Sequence, residues 1–143
     1  MPDREVGMGL NVQEMSLEEF ANAYGDNWMV RMLTGVMEGP LTAREVDLAK
    51  QFLRKKFLVG LLDEKTETLR RFESYFGWKF PSRVSQKCKN NMFYFEPQSK
   101  NIYLPVDASS EAYQVLERRN LYDIELFNYA KQLFEDQASL VDK

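Results

Sequence analysis

The sequence predicts the C-terminal portion of an α/β protein, in a chain that is itself mainly helical with one or few strands. Two neighbouring segments carry this prediction. Residues 57–61 read FLVGL, an unbroken apolar run that is typical of a strand covered on both faces. A helix-like segment follows and ends at Gly77, and a strand followed by a capped helix is the order found in the last unit of an α/β sheet.

Length and composition are those of an ordinary globular chain. Its 143 residues can bury one core, and 44% hydrophobic with 29% charged residues is usual for such a domain. The net charge of −3 argues against nucleic acid as a partner, because phosphate binding needs a basic surface. No apolar run approaches the roughly 18 residues of a transmembrane helix, and the first residues lack the apolar core of a signal peptide. We therefore expect a soluble chain without a targeting signal.

The residue types that are missing limit the chemistry of the chain. It has no histidine, which excludes Ser-His-Asp triads, Cys-His pairs and zinc–histidine sites within these residues. A single cysteine, Cys88, excludes an internal disulfide and a cysteine-based metal site. Any chemistry here would use carboxylates, lysine, tyrosine or hydroxyls. The sequence identifies no catalytic residue and no metal ligand.

The N-terminal third is predicted to hold a flexible lead-in and two short helices. Residues 1–15 form the lead-in, since they show no periodicity. Ser16 and Glu19 fit a capping box, in which each side chain binds the backbone N–H of the other residue. Asp26 can cap a second helix, NWMVRMLT, which Gly35 ends. The apolar positions of this helix give a broad buried face that consists of Met29, Val30, Met32 and Leu33.

The middle of the chain is predicted as a helix, the strand and another helix. Thr42 and Glu45 form a second capping box, which opens a helix to about Arg54. The strand at residues 57–61 comes next, and the helix after it ends at Gly77. The inner face of that helix is expected to carry Leu69, Phe72 and Phe76.

The last third is predicted as an irregular connection followed by two helices. Between Trp78 and about Ala108 the sequence has no clear period, and so long a connection indicates either a functional loop or an element without a sequence signal. Ser110 can open a helix to about Arg118, which Asn120 interrupts. The final helix reads LYDIELFNYAKQLFEDQASL, with an apolar face of Leu126, Phe127, Ala130, Leu133 and Phe134.

The strand at residues 57–61 needs neighbours that the rest of the sequence does not offer. Each buried backbone group left without a hydrogen bond costs roughly 1–3 kcal/mol. A parallel strand also needs further strand–helix units beside it. The segment is therefore either a buried piece of helix or a strand whose sheet lies elsewhere. Val59 and Gly60 argue against the helix, so we expect a missing N-terminal half or another chain to supply the neighbouring strands.

Three stretches resemble one enzyme family in the family's own order. DNWMVRMLTG resembles the Asn-x-x-x-Arg-x-Leu-x-Gly stretch in the second half of PAPS-dependent sulfotransferases, above all their carbohydrate-sulfotransferase-like members. KFLVGLLDEKTETLRRFESYFGW is similar to the strand and turn that come later in that pattern. RRNLYDIELFNYAKQLFEDQ is similar to the terminal helix, with its Asn-x-x-Asp-x-x-Leu-Phe/Tyr-x-Tyr-Ala pattern. Together the matches span roughly residues 16–137.

The resemblance implies a fold, a reaction and a partner. The fold would be a P-loop-like parallel sheet with flanking helices, of which residues 16–143 are the C-terminal part. The reaction would transfer a sulfuryl group from PAPS, without a metal, to a hydroxyl or amine of an acceptor such as a carbohydrate. Members of the family occur in the Golgi lumen and in the cytoplasm, so the compartment stays open. The phosphosulfate loop and the Arg-x-Pro-x-x-Arg segment are not in this sequence, and we expect the isolated chain to be a partial or inactive form.

The resemblance also implies two sets of binding residues, each with a simpler alternative. Asn27 and Arg31 would bind the acceptor, or else Arg31 pairs with a nearby carboxylate and Asn27 caps a helix. Between residues 70 and 100 the sequence has seven basic and two acidic residues, interleaved with aromatic ones. Within this stretch the PAPS-binding residues would be Arg83, Lys87 and Lys89, unless the stretch is a solvated basic loop.

A second function, from a different class, fits the same pattern. The chain would be a small helical interaction module without catalysis. Residues 57–61 would then be buried helix, or an edge strand that docks on a partner.

Overall fold

The computed structural model describes residues 15–23, 25–93 and 107–141, and these residues are largely helical. Most of the predicted lead-in, residues 1–14, lies outside them. The α-helices of the described ranges, in chain order, are α1 Leu17–Ala23, α2 Trp28–Thr34, α3 Ala43–Lys56, α4 Lys65–Phe76, α5 Arg83–Phe93, α6 Glu111–Arg119 and α7 Leu121–Asp136. A 3-10 turn, Gln137–Leu140, follows α7 directly.

The predicted α/β fold, with its P-loop-like parallel sheet, is wrong for this structure, because no strand occurs in the described ranges. Residues 57–61 are not helical either. Phe57 has the extended backbone angles φ −126° and ψ 139°, as a strand residue would. On one edge of the segment, side chains from α4 and from the 3-10 turn bind the backbone where a neighbouring strand would lie.

Local capping explains where most of the helices begin and end. Thr42 and Glu45 form the predicted capping box at the start of α3. The Ser110 hydroxyl accepts a hydrogen bond from the backbone N–H of Tyr113 and caps α6. Gly77 ends α4 with φ +66°, a left-handed conformation that costs glycine little free energy.

The core lies where α2, α3 and α7 meet. The buried residues of this cluster are Val30 from α2, Ala49 from α3 and Leu126 from α7. Four partly buried side chains surround them: Leu33, Leu41, Leu53 and Tyr122. Separately, α1 packs against α6. Tertiary packing of these amphipathic faces stabilises helices that are too short to persist alone.

Helix α4 packs against the C-terminal end of α7 through a buried arginine. The Arg71 guanidinium lies 3.7 Å from the centre of the Phe134 ring and donates a hydrogen bond to the Phe134 carbonyl oxygen. Its charge is balanced by Glu67, whose carboxylate is 2.7 Å from Nε of Arg71. Ser74 donates to the carbonyl oxygen of Val141, 2.7 Å away, and fixes the far end of the helix. A buried charge is tolerated here because it is paired and hydrogen-bonded.

The buried faces are narrower than the apolar patterns predict. Leu69 is buried in α4, but Phe76, which was expected beside it, is 52% exposed. Phe127 of α7 is likewise 53% exposed, although Leu126 and Phe134 are buried as predicted. These faces therefore leave large apolar side chains exposed on the described surface.

Helix α5 falls between Trp78 and Ala108, where the sequence shows no clear period. Ser82 and Ser85 exchange hydrogen bonds at its start, which is a capping arrangement with serine in place of glutamate. Its side chains are mostly exposed, and Val84 is 80% exposed. Within the described ranges, none of the helices is long and apolar enough to span a membrane.

Candidate functional site

The first candidate site is the place where α2 and α7 begin side by side. The Asn27 amide oxygen accepts hydrogen bonds from the backbone N–H groups of Tyr122, at 2.9 Å, and Asp123, at 3.1 Å. The Asp123 carboxylate in turn accepts from the backbone N–H groups of Met29 and Val30, both at 2.9 Å. Each helix is therefore capped by a side chain of the other, and the positive ends of both helices share one carboxylate.

Asn27 has no spare group for a ligand in this arrangement. Its side-chain nitrogen donates to the Arg119 carbonyl oxygen at 2.8 Å and to the Asp26 carboxylate at 3.0 Å. Its backbone N–H donates to the Asn120 side-chain oxygen at 2.9 Å. The residue is 6% exposed and has a left-handed φ of +45°, which asparagine tolerates better than most residues. The Asn27 side chain caps α7 and forms no capping hydrogen bond to its own helix, α2.

The Arg31 side chain binds the loops on both sides of α2. Its Nη2 atom lies 2.9 Å from the Asp26 carboxylate, and other donors bind the carbonyl oxygens of Asp26, Val36 and Gly39. Its side chain is only 10% exposed. Burial acts to raise the pKa of Asp26, but hydrogen bonds from Asn27 and Arg31, together with the Arg31 charge, outweigh it and lower that pKa below its usual value.

Asn27 and Arg31 thus lie in one cluster, where their polar groups form hydrogen bonds to other parts of the protein. The alternative reading of Arg31, a pair with a nearby carboxylate, is what the structure contains. A direct role of either residue in binding the acceptor remains a prediction. In this geometry both residues position helix ends.

The predicted PAPS-binding residues lie on α5 and do not converge on one point. The Lys89 ammonium is 2.7 Å from a Glu73 carboxylate oxygen and 5.2 Å from the centre of the Phe80 ring. Arg83 and Lys87 are exposed, one helical turn apart on the same face, and neither forms an ion pair within the described part of the chain. This pair remains available to an anion, whereas the Lys89 charge is already balanced.

The second candidate site is the non-helical stretch at residues 57–61, which we call the extended segment. One of its edges carries the backbone groups of Phe57, Val59 and Leu61. The Gln137 amide binds there as a neighbouring strand would: its oxygen accepts from Val59 N–H and its nitrogen donates to the Phe57 carbonyl, both at 2.8 Å. Gln137 is 6% exposed, so the amide is held in place by its surroundings.

Thr68 of α4 completes the same edge and explains why residue 60 is a glycine. The Thr68 hydroxyl accepts from Leu61 N–H at 3.0 Å and donates to the Leu61 carbonyl oxygen at 3.1 Å. A Cβ atom at Gly60 would lie 2.4 Å from Cγ2 of Thr68 and 2.9 Å from Cζ of Phe72. Only glycine lets the extended segment approach α4 this closely.

Among the described residues, the opposite edge of the extended segment has no hydrogen-bonding partner. It carries the backbone N–H and C=O groups of Leu58 and Gly60, and in the described part of the chain none of these four groups forms a hydrogen bond. Leu58 is half-buried and Gly60 is exposed. The segment therefore has the geometry of an edge strand that is paired on one side only.

Two apolar clefts flank the extended segment, and Gly60 and Leu61 line both of them. The first, of about 300 Å³, lies toward α3 and α7 and is lined by Leu53, Phe57, Leu126, Phe127 and Ala130 among others. The second, of about 280 Å³, lies toward α4 and is lined by Leu62, Lys65, Thr68 and Phe72. The rims are exposed and apolar, since Met29 is 54% and Leu62 is 77% exposed.

Comparison with known proteins assigns no identity to the chain. No protein-family model, no curated protein sequence and no solved structure matches it. Among the described residues there is also no group of three or more cysteine or acidic side chains placed to hold a metal ion.

Sequence reasoning missed three residues that matter in these sites: Asp123, Thr68 and Gln137. Asp123 was visible within the Asn-x-x-Asp pattern, but its hydrogen bonds reach residues 93 and 94 positions away. Gln137 lies 78 positions from Val59. A polar residue in an amphipathic helix has no local mark that distinguishes it from a solvated one.

Proposed function

We propose that the chain is the C-terminal part of a PAPS-dependent sulfotransferase, which moves a sulfuryl group to a hydroxyl or amine of an acceptor such as a carbohydrate. One observation supports this proposal. The stretch with Asn27 and the stretch with Asn120 and Asp123 resemble the family separately, and hydrogen bonds join them at one place.

The proposed reaction divides the work between this chain and groups outside it. The bond from sulfur to the bridging phosphate oxygen of PAPS breaks, the acceptor atom forms the new bond to sulfur and loses its proton, and PAP leaves. Positioning and cations near the departing oxygens drive such transfers. The glycine-rich phosphosulfate loop is not in these 143 residues, so the groups that touch the transferred sulfuryl come from another polypeptide segment.

Within this chain, Arg83 and Lys87 are the residues we assign to the nucleotide phosphates. They are exposed and unpaired in the described part of the chain, and Trp78, which is 44% exposed, lies shortly before them in sequence. Asn27 and Arg31 act as positioning residues that hold the start of α2 against α7. Lys89 contributes through Glu73 to the placement of α5 against α4.

Calorimetric titration with PAP tests this proposal. The folded chain is expected to bind with a dissociation constant on the order of 1 mM, which corresponds to about −4 kcal/mol. An Arg83→Ala, Lys87→Ala double variant should lose this heat, whereas Arg118→Ala, which removes an exposed basic residue of α6, should retain it. A folded, monomeric chain that gives no heat at millimolar PAP would contradict the assignment of these residues.

A second function is favoured by a different observation, the open edge at Leu58 and Gly60. An interaction module without catalysis would use such an edge, together with the exposed apolar rims of the two clefts, to hold a partner. This proposal needs no nucleotide and no acceptor. It therefore survives if PAP does not bind.

A further inference from the structure

We propose that a third cleft binds a small planar aromatic anion, an aryl carboxylate or aryl phosphate of one or two fused rings. This cleft lies between the last turns of α3 and α4 and the 3-10 turn that follows α7. Its volume is about 350 Å³, which is within the range of small-molecule sites. The site is separate from the residues of α5 assigned to PAP, and it does not use the open edge of the extended segment.

The last turn of α3 gives this cleft a positive wall. Arg54, Lys55 and Lys56 line it, and all three are exposed. None of them forms an ion pair in the described part of the chain, and no acidic side chain described there lines the cleft. The carbonyl groups at a helix end carry about half of a negative charge, which offsets only a fraction of three positive ones. The remaining positive charge favours an anion in the cleft.

The last turn of α4 gives the cleft an aromatic wall. Tyr75 and Phe76 both line it, and each is about half exposed. Their ring centres are 5.0 Å apart and their planes meet at 82°. A planar ring that stacks on one of them therefore meets the other edge to face, and both geometries are favoured between aromatic rings. An aliphatic chain in the same space gains neither contact.

The aromatic wall and the floor of the cleft are held in place before a ligand arrives. Trp78 stacks on Phe76, with ring centres 5.3 Å apart and planes at 21°, and Phe72 meets Phe76 edge-on at 6.0 Å. Gln137 of the 3-10 turn also lines the cleft, and its buried amide is bound to the backbone of the extended segment. Because these groups are already fixed, little conformational entropy is lost when a ligand binds.

The two walls together define the chemistry of the ligand. The positive wall alone would accept any anion, and the aromatic wall alone would accept any flat ring. Because both walls line one concave space, a molecule that joins a ring to an anionic group contacts both at once. The Arg54 guanidinium can hold two oxygens of a carboxylate or a phosphate. A membrane surface also attracts basic and aromatic side chains, but it contacts a protruding face and does not fill a cleft.

A titration followed by nuclear magnetic resonance of the isotope-labelled full chain tests the proposal. The probes are naphthoate and naphthyl phosphate, and the tighter of the two identifies the anionic group. Both should shift the amide signals of Lys55, Lys56, Tyr75 and Phe76, with a dissociation constant of about 1 mM or tighter. Naphthalenemethanol keeps the ring without the charge, and cyclohexanecarboxylate keeps the charge without the aromatic ring. Each should bind at least about five-fold more weakly than naphthoate.

Variants of the two walls separate their contributions. The Lys55→Ala, Lys56→Ala double variant removes two exposed cations, and Phe76→Leu removes a ring but keeps an apolar side chain. Each should weaken naphthoate binding at least about five-fold while circular dichroism stays unchanged. The matched controls are Arg44→Ala, at the opposite end of α3, and Tyr113→Leu, on α6, and neither should change the affinity. If Phe76→Leu does not fold, the lysine variant still decides, because its two side chains are exposed.

Three results would overturn the proposal. The first is that neither naphthoate nor naphthyl phosphate shifts these signals at millimolar concentration. The second is equal binding of naphthalenemethanol, or an unchanged affinity in the lysine variant, because either would leave an apolar cleft without preference for an anion. The third is binding to vesicles of phosphatidylcholine and phosphatidylserine that the lysine variant loses, without naphthoate binding, because this would assign the surface to a membrane.

The site and the PAP proposal can be tested against each other with the same variants. Naphthoate binding should survive in the Arg83→Ala, Lys87→Ala variant, since these residues lie on α5 and do not line the cleft. The heat of PAP binding should survive in the Lys55→Ala, Lys56→Ala variant. The two proposals therefore fail separately.

Discussion

Asp123, in the first turn of α7, caps α2, and Asn27, at the N-cap of α2, caps α7. The Asp123 carboxylate accepts from Met29 and Val30 at the start of α2, and the Asn27 amide oxygen accepts from Tyr122 and Asp123 at the start of α7. Two helix N-termini with like partial charge would repel each other, and the carboxylate between them offsets this repulsion. The exchange fixes α2 against α7 at one end of the core.

Removal of the shared carboxylate should destabilise both helices. We expect Asp123→Ala to lower the free energy of unfolding by about 2–3 kcal/mol, because it removes two charge-assisted caps at once. Asp123→Asn keeps one of the two acceptor oxygens but loses the other and the charge, and should cost about 1–2 kcal/mol. Urea unfolding measures both values. Asp47→Ala, at an exposed position of α3, is the control and should change the free energy by less than about 0.5 kcal/mol.

The left-handed backbone of Asn27 can be separated from its hydrogen bonds by two substitutions. Both Asn27→Ala and Asn27→Gly lose the side-chain bonds to α7, but only alanine resists a φ of +45°. The alanine variant should therefore be less stable than the glycine variant by about 1 kcal/mol in urea unfolding. Equal stabilities would show that Asn27 does not hold this conformation in solution.

A methyl group at residue 60 should destabilise the fold unless the nearby methyl group of Thr68 in α4 is removed. Gly60→Ala places Cβ 2.4 Å from Cγ2 of Thr68 and should cost about 1–3 kcal/mol through overpacking. Thr68→Ser removes that methyl group and keeps the hydroxyl that binds Leu61. The double variant should thus recover part of the loss seen in Gly60→Ala, although Phe72 remains close. Additive losses in the unfolding free energy would contradict this contact.

Acid should weaken the ion pairs that hold α4. Hydrogen bonds from Arg70 and Arg71 lower the pKa of Glu67 to about 2, from an ordinary 4.5. Because the folded pKa is depressed, this contribution to stability is complete above about pH 4.5 and is lost as the pH falls toward 2. Glu67→Gln should be less stable than the parent at pH 7, and the two unfolding midpoints should converge near pH 2. A constant difference across this range would exclude Glu67 as the cause.

Local signals predicted the helices well, and long-range contacts decided the rest. The capping boxes at Ser16 and Thr42, and the glycine that ends α4, act within four residues and are legible in the sequence. Helix α5 was missed because its exposed residues carry no apolar stripe. The strand prediction failed for a different reason. The local conformation at Phe57 is extended as expected, but the partner on its paired edge is the side chain of Gln137 and not another strand.

For the candidate sites too, the sequence identified some residues but not their long-range contacts. Asn27 and Arg31 were selected from the sequence and do lie together. The sequence could not show that their hydrogen-bonding groups are already used by Asp26, α6 and α7. The open edge at Gly60 was not predictable at all, since it depends on which side of the extended segment Gln137 and Thr68 occupy. Backbone direction and distant partners are properties of the folded chain alone.

Amide hydrogen exchange in the free chain tests most directly the claim that the extended segment is paired on one edge and open on the other. The account predicts alternation along the segment, with slow exchange at Val59 and Leu61 and fast exchange at Leu58 and Gly60. In Gln137→Ala, Val59 should become fast while Leu61, bound to Thr68, stays slow. Uniformly slow exchange across residues 58–61, as in a helix or a fully paired strand, would contradict the account.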